Sequence, residues 1–161
     1  MKNNKKTLII RIVLTVLTVA AVGFIFYNSS MSAVESTEES SPVTDMLNDF
    51  LRSLNIPLTL TENVVRKLAH FTEYTILGLL LSSTVYSYVR RGKKMLLPTL
   101  LIGAVIPICD ELIQLFPEGR SCEVRDMLID FCGVALATLI VFLIISIKEK
   151  RTKKKGENSR G

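Results

Sequence analysis

The sequence predicts an all-α integral membrane protein, a single domain over residues 1–161 with a bundle of four transmembrane helices. Hydrophobic residues make up 48% of the chain, tryptophan is absent, and the charged residues lie in clusters. Four apolar runs, at about 7–27, 67–89, 95–116 and 126–147, each approach the roughly 20 residues that a helix needs to cross a bilayer. No segment has the period-two alternation of a transmembrane strand, which argues against a barrel.

The basic residues predict the orientation of this bundle. They precede or enter the first run, separate the second from the third, and follow the fourth. Because cytoplasmic ends of membrane helices are rich in Lys and Arg, both termini are predicted to be cytoplasmic. The net charge of +5 then indicates contact with the inner leaflet and no nucleic-acid partner. These residues are Lys2, Lys5, Lys6, Arg11, Arg90, Arg91, Lys93, Lys94, Lys148, Lys150, Arg151, Lys153, Lys154, Lys155 and Arg160.

The first run is predicted to be an uncleaved anchor followed by an outer loop at 28–65. Its apolar stretch is longer than the roughly 7–15 residues of a signal peptide, and no good cleavage site follows. Residues 28–41 are rich in Ser, Glu and Thr, which predicts a solvated linker. From Pro42 the spacing of apolar residues predicts a short amphipathic helix that lies on the outer leaflet or caps the bundle. Its apolar face comprises Met46, Leu47, Phe50, Leu51 and Leu54.

The other three helices are predicted over Glu62–Tyr88, Met95–Phe116 and Asp126–Ile147. Thr61 is placed to cap the first of them, since threonine before a helical run accepts a hydrogen bond from the first turn. In the last helix, small residues allow close approach of a neighbouring helix. They are Gly133, Ala135 and Ala137.

Polar residues interrupt these three helices at one level, near the predicted outer interface. His70 and Glu73 are three residues apart, so they share a helical face. Asp110, Glu111 and Gln114 end the next helix, and Asp126 and Asp130 begin the last. Because ionisable groups inside membrane helices are costly and usually face protein or water, we expect one shared, outward-facing site. The predicted binding residues are Arg66, Lys67, His70, Glu73, Tyr74, Asp110, Glu111, Gln114, Arg120, Ser121, Asp126 and Asp130.

Three kinds of chemistry fit this set. A histidine beside carboxylates suits general acid–base catalysis, with His70, Glu73, Asp110, Glu111 and Asp126 as candidates. Arginine suits a bidentate grip on phosphate or carboxylate, which Arg120 would supply. A cluster of carboxylates with one histidine can also hold a divalent cation through oxygen ligands, with Asp110, Glu111 and Asp126 as candidates, although no metal or other cofactor is assigned. No glycine-rich phosphate loop, HExxH or CxxC motif is present.

Four ordered motifs carry a resemblance to a known family. They are RKLAHFTEY at 66–74, DELIQ at 110–114, EGRS at 118–121 and RDMLIDFCG at 125–133. Together they resemble the VanZ-like family of bacterial membrane proteins. Two positions depart from its pattern: Glu118 stands where many members have proline, and Asp130 where some have asparagine. The matching positions are His70, Glu73, Tyr74, Asp110, Glu111, Gln114, Gly119, Arg120, Asp126, Asp130 and Gly133.

The resemblance implies a cell-envelope protein of a Gram-positive bacterium, in a family whose founding member gives low-level resistance to teicoplanin. Joined to the polar set, it predicts a multi-pass protein of the cell membrane that binds an amphiphile through its headgroup at the extracellular side. The candidate ligands are lipid-linked cell-wall intermediates, phospholipid headgroups and a lipoglycopeptide. Two alternatives stay open: an intramembrane acid–base enzyme acting on a lipid-linked phosphate or cell-wall intermediate, and a proton-coupled transporter. The sequence assigns neither catalysis nor an oligomeric state.

Overall fold

A computed structural model describes residues 2–158, with the side chains of residues 4–152 and 155. The described chain forms five helices, which confirms the all-α prediction. The predicted basic side chains of Lys2, Lys153, Lys154 and Arg160 lie outside the described ones. The helices are α1 (Lys2–Ser29), α2 (Ala33–Ser53), α3 (Glu62–Val89), α4 (Gly92–Ile113) and α5 (Val124–Asn158).

Three of the helices are long and apolar enough to cross a membrane, over Asn4–Ser29, Gly92–Ile113 and Val124–Thr152. The fourth predicted span, α3, has a sufficient length of 28 residues, but polar residues such as His70 and Glu73 dilute its apolar character. α3 instead occupies the centre of the molecule and contacts each of the other four helices. Its polar side chains therefore have protein neighbours, as expected for polar groups within a membrane protein.

The core lies where α1, α4 and α5 meet α3. Tyr74 and Leu77 of α3 are fully buried and pack with Val134 of α5. Ile25 of α1 and Ile106 of α4 complete this cluster. Most large apolar side chains on the outward faces of α1, α4 and α5 are exposed. This distribution is the one expected of helices that pack inward through a few small and polar residues and present apolar surface to lipid.

The two ends of the bundle differ in charge. At the basic end, the Arg11 guanidinium donates to the Ser87 carbonyl at 3.0 Å and lies 4.9 Å above the Tyr88 ring. The Gly92 N–H donates to Glu149 Oε1 at 3.1 Å at the same end. We call the opposite end the polar end: it contains the end of α1, the start of α3, the end of α4 and the start of α5. The basic residues on which the predicted orientation rests therefore lie at the end opposite the acidic set.

α2 begins nine residues before the predicted start at Pro42, so the prediction of a solvated linker up to residue 41 is wrong. Ser32 caps the helix, because its hydroxyl accepts from the Glu35 N–H at 3.3 Å and the Glu35 carboxylate accepts from the Ser32 N–H at 2.8 Å. This reciprocal pair satisfies two backbone donors that the composition argument did not consider. Pro42 is accommodated inside the helix.

The apolar face of α2 is turned away from the bundle. Its buried residues are Ser36, Thr44 and Asn48. Asn48 accepts from the Leu60 N–H at 2.7 Å and donates to the Leu60 carbonyl at 3.1 Å, which fixes α2 against the segment before α3. Met46 and Phe50, in contrast, are largely exposed. An exposed apolar stripe opposite a polar buried face is the arrangement of a helix that rests on a membrane surface.

Acidification is expected to loosen the first turn of α2. The backbone hydrogen bond from Ser32, followed by the bond from its hydroxyl, lowers the pKa of Glu35 below its usual value of 4.5. The charged carboxylate therefore stabilises the folded helix above pH 4.5, and this contribution is lost as the pH falls through the lower folded pKa. Hydrogen-exchange protection at residues 33–36 should decrease over that interval.

The matched variants for this test are Glu35→Gln and Glu38→Gln. Glutamine retains the hydrogen bonds of a capping box without a titrating charge, so Glu35→Gln should remove the pH dependence of protection. Glu38→Gln removes an exposed acid of the same helix that is not part of the capping box, and it should leave the pH dependence of protection unchanged. Equal pH dependence in both variants would assign the effect to another group.

Apart from the C-terminal end of α5, the other predicted helix bounds hold to within about five residues. Thr61 caps α3, accepting from the Val64 N–H, as predicted. α4 ends at Ile113, before the predicted Phe116, and the chain then turns. α5 continues to Asn158, beyond the predicted end at Ile147. The polar extension is rich in Lys, Glu and Arg, which favour helix even after the apolar run has ended.

Candidate functional site

A pocket opens at the polar end between α3, α5 and the turn after α4. It contains about 560 Å³ of empty space, part of which is open to solvent. We call it the polar pocket. It is lined by Arg66, Lys67, His70, Glu111, Gln114, Gly119, Arg120, Ser121, Glu123, Asp126, Ile129 and Asp130. Nine of these are predicted binding residues; the other three predicted ones, Glu73, Tyr74 and Asp110, lie next to it inside the bundle.

α3 supplies the basic rim of the polar pocket because Arg66 and Lys67 occupy its first turns. Lys67 Nζ donates to Asp126 Oδ1 and lies 3.7 Å from Glu123 Oε2, so it joins α3 to the start of α5. The side chains of Lys67 and Asp126 are 30% and 29% exposed, which makes this a partly buried ion pair. Such a pair is less screened by solvent than an ion pair on the surface.

The turn between α4 and α5 supplies Arg120. Gly119 precedes it with φ +76°, a conformation that glycine adopts without strain. Burial, and then the nearby Arg66, lower the pKa of Arg120, while Asp110 and Glu111 act in the opposite direction. The guanidinium stays charged, since an arginine starts from so high a pKa. Its Nε is buried and has no hydrogen-bond partner within the described residues.

Glu111, which is 1% exposed, stabilises the same turn through a hydrogen bond. Glu111 Oε2 accepts from the Glu123 N–H at 2.8 Å and so joins the end of α4 to the start of α5. Desolvation, and then the charge of Glu111, raise the pKa of the Cys122 thiol. A raised thiol pKa opposes thiolate formation, so Cys122 is a poor nucleophile here.

Buried and half-buried acids from three helices lie at and below the floor of the polar pocket. Asp110 is 0% exposed and Asp130 is 1% exposed. Gln114 Nε2 donates to Asp110 Oδ2 at 3.3 Å, and Asn28 Nδ2 donates to Glu73 Oε1 at 3.1 Å. The fully buried Tyr74 hydroxyl faces Asp110, although it makes no hydrogen bond of good geometry within the described residues.

Several of these buried atoms have no hydrogen-bond partner in the part of the chain that the structure describes. Buried polar atoms are nearly always paired in folded proteins, so a cluster of unpaired ones marks a place where a ligand, water or ion binds. The unpaired buried atoms at this site are Arg120 Nε, the Tyr74 hydroxyl, His70 Nδ1, Glu73 Oε2, Asp110 Oδ1 and both carboxylate oxygens of Asp130.

The structure groups a different set of possible metal ligands from the one that the sequence suggested. His70, Asp110 and Asp130 each offer one ligand atom, and these atoms all lie within 4.8 Å of one another. Of the suggested residues, Glu111 instead holds the Glu123 N–H and Asp126 pairs with Lys67. Spacing along each helix could not reveal this, because the grouping depends on how α3, α4 and α5 are rotated about their axes.

Five contributors to this site were not among the predicted binding residues. Gly119, Glu123 and Ile129 line the polar pocket, and Asn28 and Ser29 reach its polar side chains from the end of α1. Ser29 is fully buried, and its hydroxyl lies 3.5 Å from Gln114 Nε2. The signal in the sequence was that Asn28 and Ser29 are polar residues at the end of the apolar run of α1.

The long apolar helices and the buried polar cluster between them define a multi-pass helical membrane protein with a polar site inside its bundle. The sequence model of the VanZ/LLP1 family matches residues 14–145, which is most of the chain. The protein therefore belongs to the VanZ/LLP1 family, and this family suggests a membrane protein associated with glycopeptide resistance. No curated protein and no solved structure matches the chain. Recognition of this family from the four sequence motifs is confirmed.

Proposed function

We propose that the polar pocket binds the anionic headgroup of an amphiphile at the outer face of the cell membrane and thereby lowers susceptibility to lipoglycopeptides such as teicoplanin. The observation that carries this proposal is the composition of one opening: Arg66, Lys67 and Arg120 stand at its rim, above buried acids. Arginine and lysine together provide the donors that phosphate and carboxylate groups require.

Apolar surface beside the opening supports an amphiphile over a free anion. Leu68 of α3 and Val124 and Leu128 of α5 are at least half exposed next to residues that line the pocket. Phe116, in the turn above it, is 87% exposed. Acyl chains could lie along this surface while the headgroup enters the pocket, so the buried apolar area would add to the affinity.

The proposed orientation rests on the basic end. α3 serves as the fourth span in this arrangement, and both termini are cytoplasmic. Arg90, Arg91, Lys93 and Lys94 lie between α3 and α4, at the end opposite the polar pocket. The positive-inside bias favours a cytoplasmic location for such a turn, which leaves the pocket outside. A phosphatase reporter fused within residues 117–125 would be active if that turn is extracellular, and inactivity would reject the orientation.

Expression in a teicoplanin-sensitive Gram-positive host tests the proposed function. The wild-type protein should raise the minimal inhibitory concentration of teicoplanin, and Arg120→Ala should return it to the level of empty vector, because the rim then lacks its guanidinium. Arg91→Ala removes an exposed arginine at the basic end and should keep the increase. Immunoblots of membrane fractions establish equal insertion. An unchanged inhibitory concentration with inserted wild-type protein would refute the resistance role.

An intramembrane acid–base enzyme is the second candidate, favoured by the proximity of His70 to Asp110 and Asp130. In that case purified protein would cleave or transfer a lipid-linked phosphate, with Arg120 orienting the phosphate and His70 acting as acid or base. If no lipid phosphate in a broad panel is turned over, with or without divalent metals, the enzyme candidate is rejected and binding remains as the proposed function. The transporter alternative has less support, because the buried polar groups deeper in the described bundle are hydroxyls: Thr18, Ser82, Thr99 and Thr138.

A further inference from the structure

Three ligand-type side chains converge at the floor of the polar pocket from three different helices. They are His70 of α3, Asp110 of α4 and Asp130 of α5, and one ligand atom from each lies within 4.8 Å of the other two. His70 and Asp130 also line the pocket, so the point where the three meet is accessible from its mouth. Convergence from separate helices requires the folded bundle and is not a consequence of helical periodicity.

Each of these three side chains has at least one polar atom without another partner. His70 Nδ1, Asp110 Oδ1 and both oxygens of Asp130 make no hydrogen bond to any described residue, and the two carboxylates are 0% and 1% exposed. A buried carboxylate without a partner is strongly destabilising. One cation held between the three side chains would take one atom from each of them, whereas a single hydrogen-bond donor would reach only one or two of these side chains.

The charge balance of the surroundings also favours a cation. The neighbouring cations are Arg66, Lys67 and Arg120, and Lys67 is already engaged by Asp126 and Glu123. Against these three stand six carboxyl groups in or beside the polar pocket, namely those of Glu73, Asp110, Glu111, Glu123, Asp126 and Asp130. An excess of acid in a partly buried site is relieved by protonation or by a bound metal ion, whose charge is then the largest in the site.

We infer that His70, Asp110 and Asp130 bind a divalent first-row transition-metal ion, Zn²⁺ or Mn²⁺, at the floor of the polar pocket. One imidazole and two carboxylates suit such ions, whereas Mg²⁺ and Ca²⁺ prefer oxygen ligands throughout and Cu(I) prefers thiolates. A tetrahedral Zn²⁺ with ligands at about 2.0–2.2 Å holds its ligand atoms roughly 3.5 Å apart, so the side chains need to close by about 1 Å. This site stands whether or not the pocket takes a headgroup.

Three protein ligands leave at least one coordination position free. Because His70 and Asp130 line the polar pocket, that position faces its interior, where a water molecule or an anionic oxygen can occupy it. Asn28 and Ser29 approach the acids from the end of α1, and Gln114, which also lines the polar pocket, orients Asp110 by donating from its Nε2 to Asp110 Oδ2. Such outer hydrogen bonds fix a ligand's rotamer and increase the affinity for the metal.

Metal binding by the full-length protein tests this inference. The protein is purified in detergent with a histidine-free affinity tag, stripped with a chelator, and titrated calorimetrically with Zn²⁺ and with Mn²⁺ in the absence of any headgroup ligand. We expect close to one ion per chain. Asp130→Asn and His70→Asn should each weaken binding by at least about tenfold. Asp45→Asn removes an exposed carboxylate of α2 and should bind as the wild type does.

A second measurement needs no substitution, because His70 is the only histidine in the chain. In protein labelled at histidine with ¹⁵N, Zn²⁺ should shift the imidazole nitrogen resonances and Mn²⁺ should broaden them beyond detection. Wild-type protein that binds neither ion, or that binds one with unchanged imidazole resonances, would overturn the inference. So would undiminished binding in both ligand variants. Loss of teicoplanin protection with metal binding intact would count only against the proposed headgroup function.

Discussion

Gly133→Ala is expected to force α3 and α5 apart and to lower the free energy of unfolding by about 1–3 kcal/mol. A Cβ atom at position 133 would lie 2.7 Å from the Phe71 carbonyl oxygen and 3.1 Å from the Thr75 nitrogen. Both are backbone atoms of α3, which cannot turn aside as a side chain would. Gly78→Ala meets α5 in the same way, with its Cβ 2.8 Å from Val134 Cα. Reversible unfolding by SDS in mixed micelles, followed by helical circular dichroism, measures the change.

Gly23→Ala is the matched control, since nothing lies within 4 Å of a Cβ built at that position of α1. Alanine is the better helix former by about 0.5–1 kcal/mol, so this variant should be as stable as the wild type or more so. If Gly→Ala lowers the free energy of unfolding at position 133 but not at position 23, the loss is caused by the close approach of two helices and not by helix propensity. Because Gly78 and Gly133 serve the same crossing, their double variant should cost less than the sum of the two single ones. A Gly133→Ala protein as stable as the wild type would contradict the close approach of the two helices.

The parts of the fold that the sequence predicted are those governed by local rules. Apolar runs located α1, α4 and α5, and the cap at Thr61 located the start of α3. The early start of α2 was missed because Ser, Glu and Thr were weighed as linker composition, whereas their order at Ser32 and Glu35 makes a cap. That α3 is enclosed by the other helices follows from packing, on which hydropathy alone gives little information.

The same distinction applies to the site. Spacing on each helix predicted a shared polar level, and nine predicted residues do line one pocket. Pairings between helices could not be predicted in this way, because they depend on rotation and on the path of the turn. The bonds from Glu123 to Glu111 and from Asn28 to Glu73 are of this kind. A single sequence contains no information on which of several acids faces which cation.

Lys67→Met is expected to lower the free energy of unfolding by about 1–3 kcal/mol, between the values typical of exposed and of fully buried ion pairs. Lys67 Nζ contacts Asp126 and Glu123, so its loss leaves two carboxylates near Glu111 without their cation. The cost arises from the acids that remain, and removing one of them should therefore offset it. We expect Lys67→Met/Asp126→Asn to recover most of the lost stability, with a coupling energy of about 1–2 kcal/mol.

The exposed pair of Asp49 and Arg52 on α2 provides the matched cycle. Its atoms lie 3.2 Å apart, but both side chains are 74% exposed, so water screens the charges and the coupling should be about 0.2–0.5 kcal/mol. Both cycles are measured by the same SDS titration, at low and at high salt. Salt should weaken the coupling of the α2 pair and leave that of Lys67 and Asp126 largely intact, because the latter pair is less accessible to ions. Equal coupling in the two cycles would mean that Lys67 does not hold α3 to α5 inside the polar pocket but behaves as an ordinary surface charge.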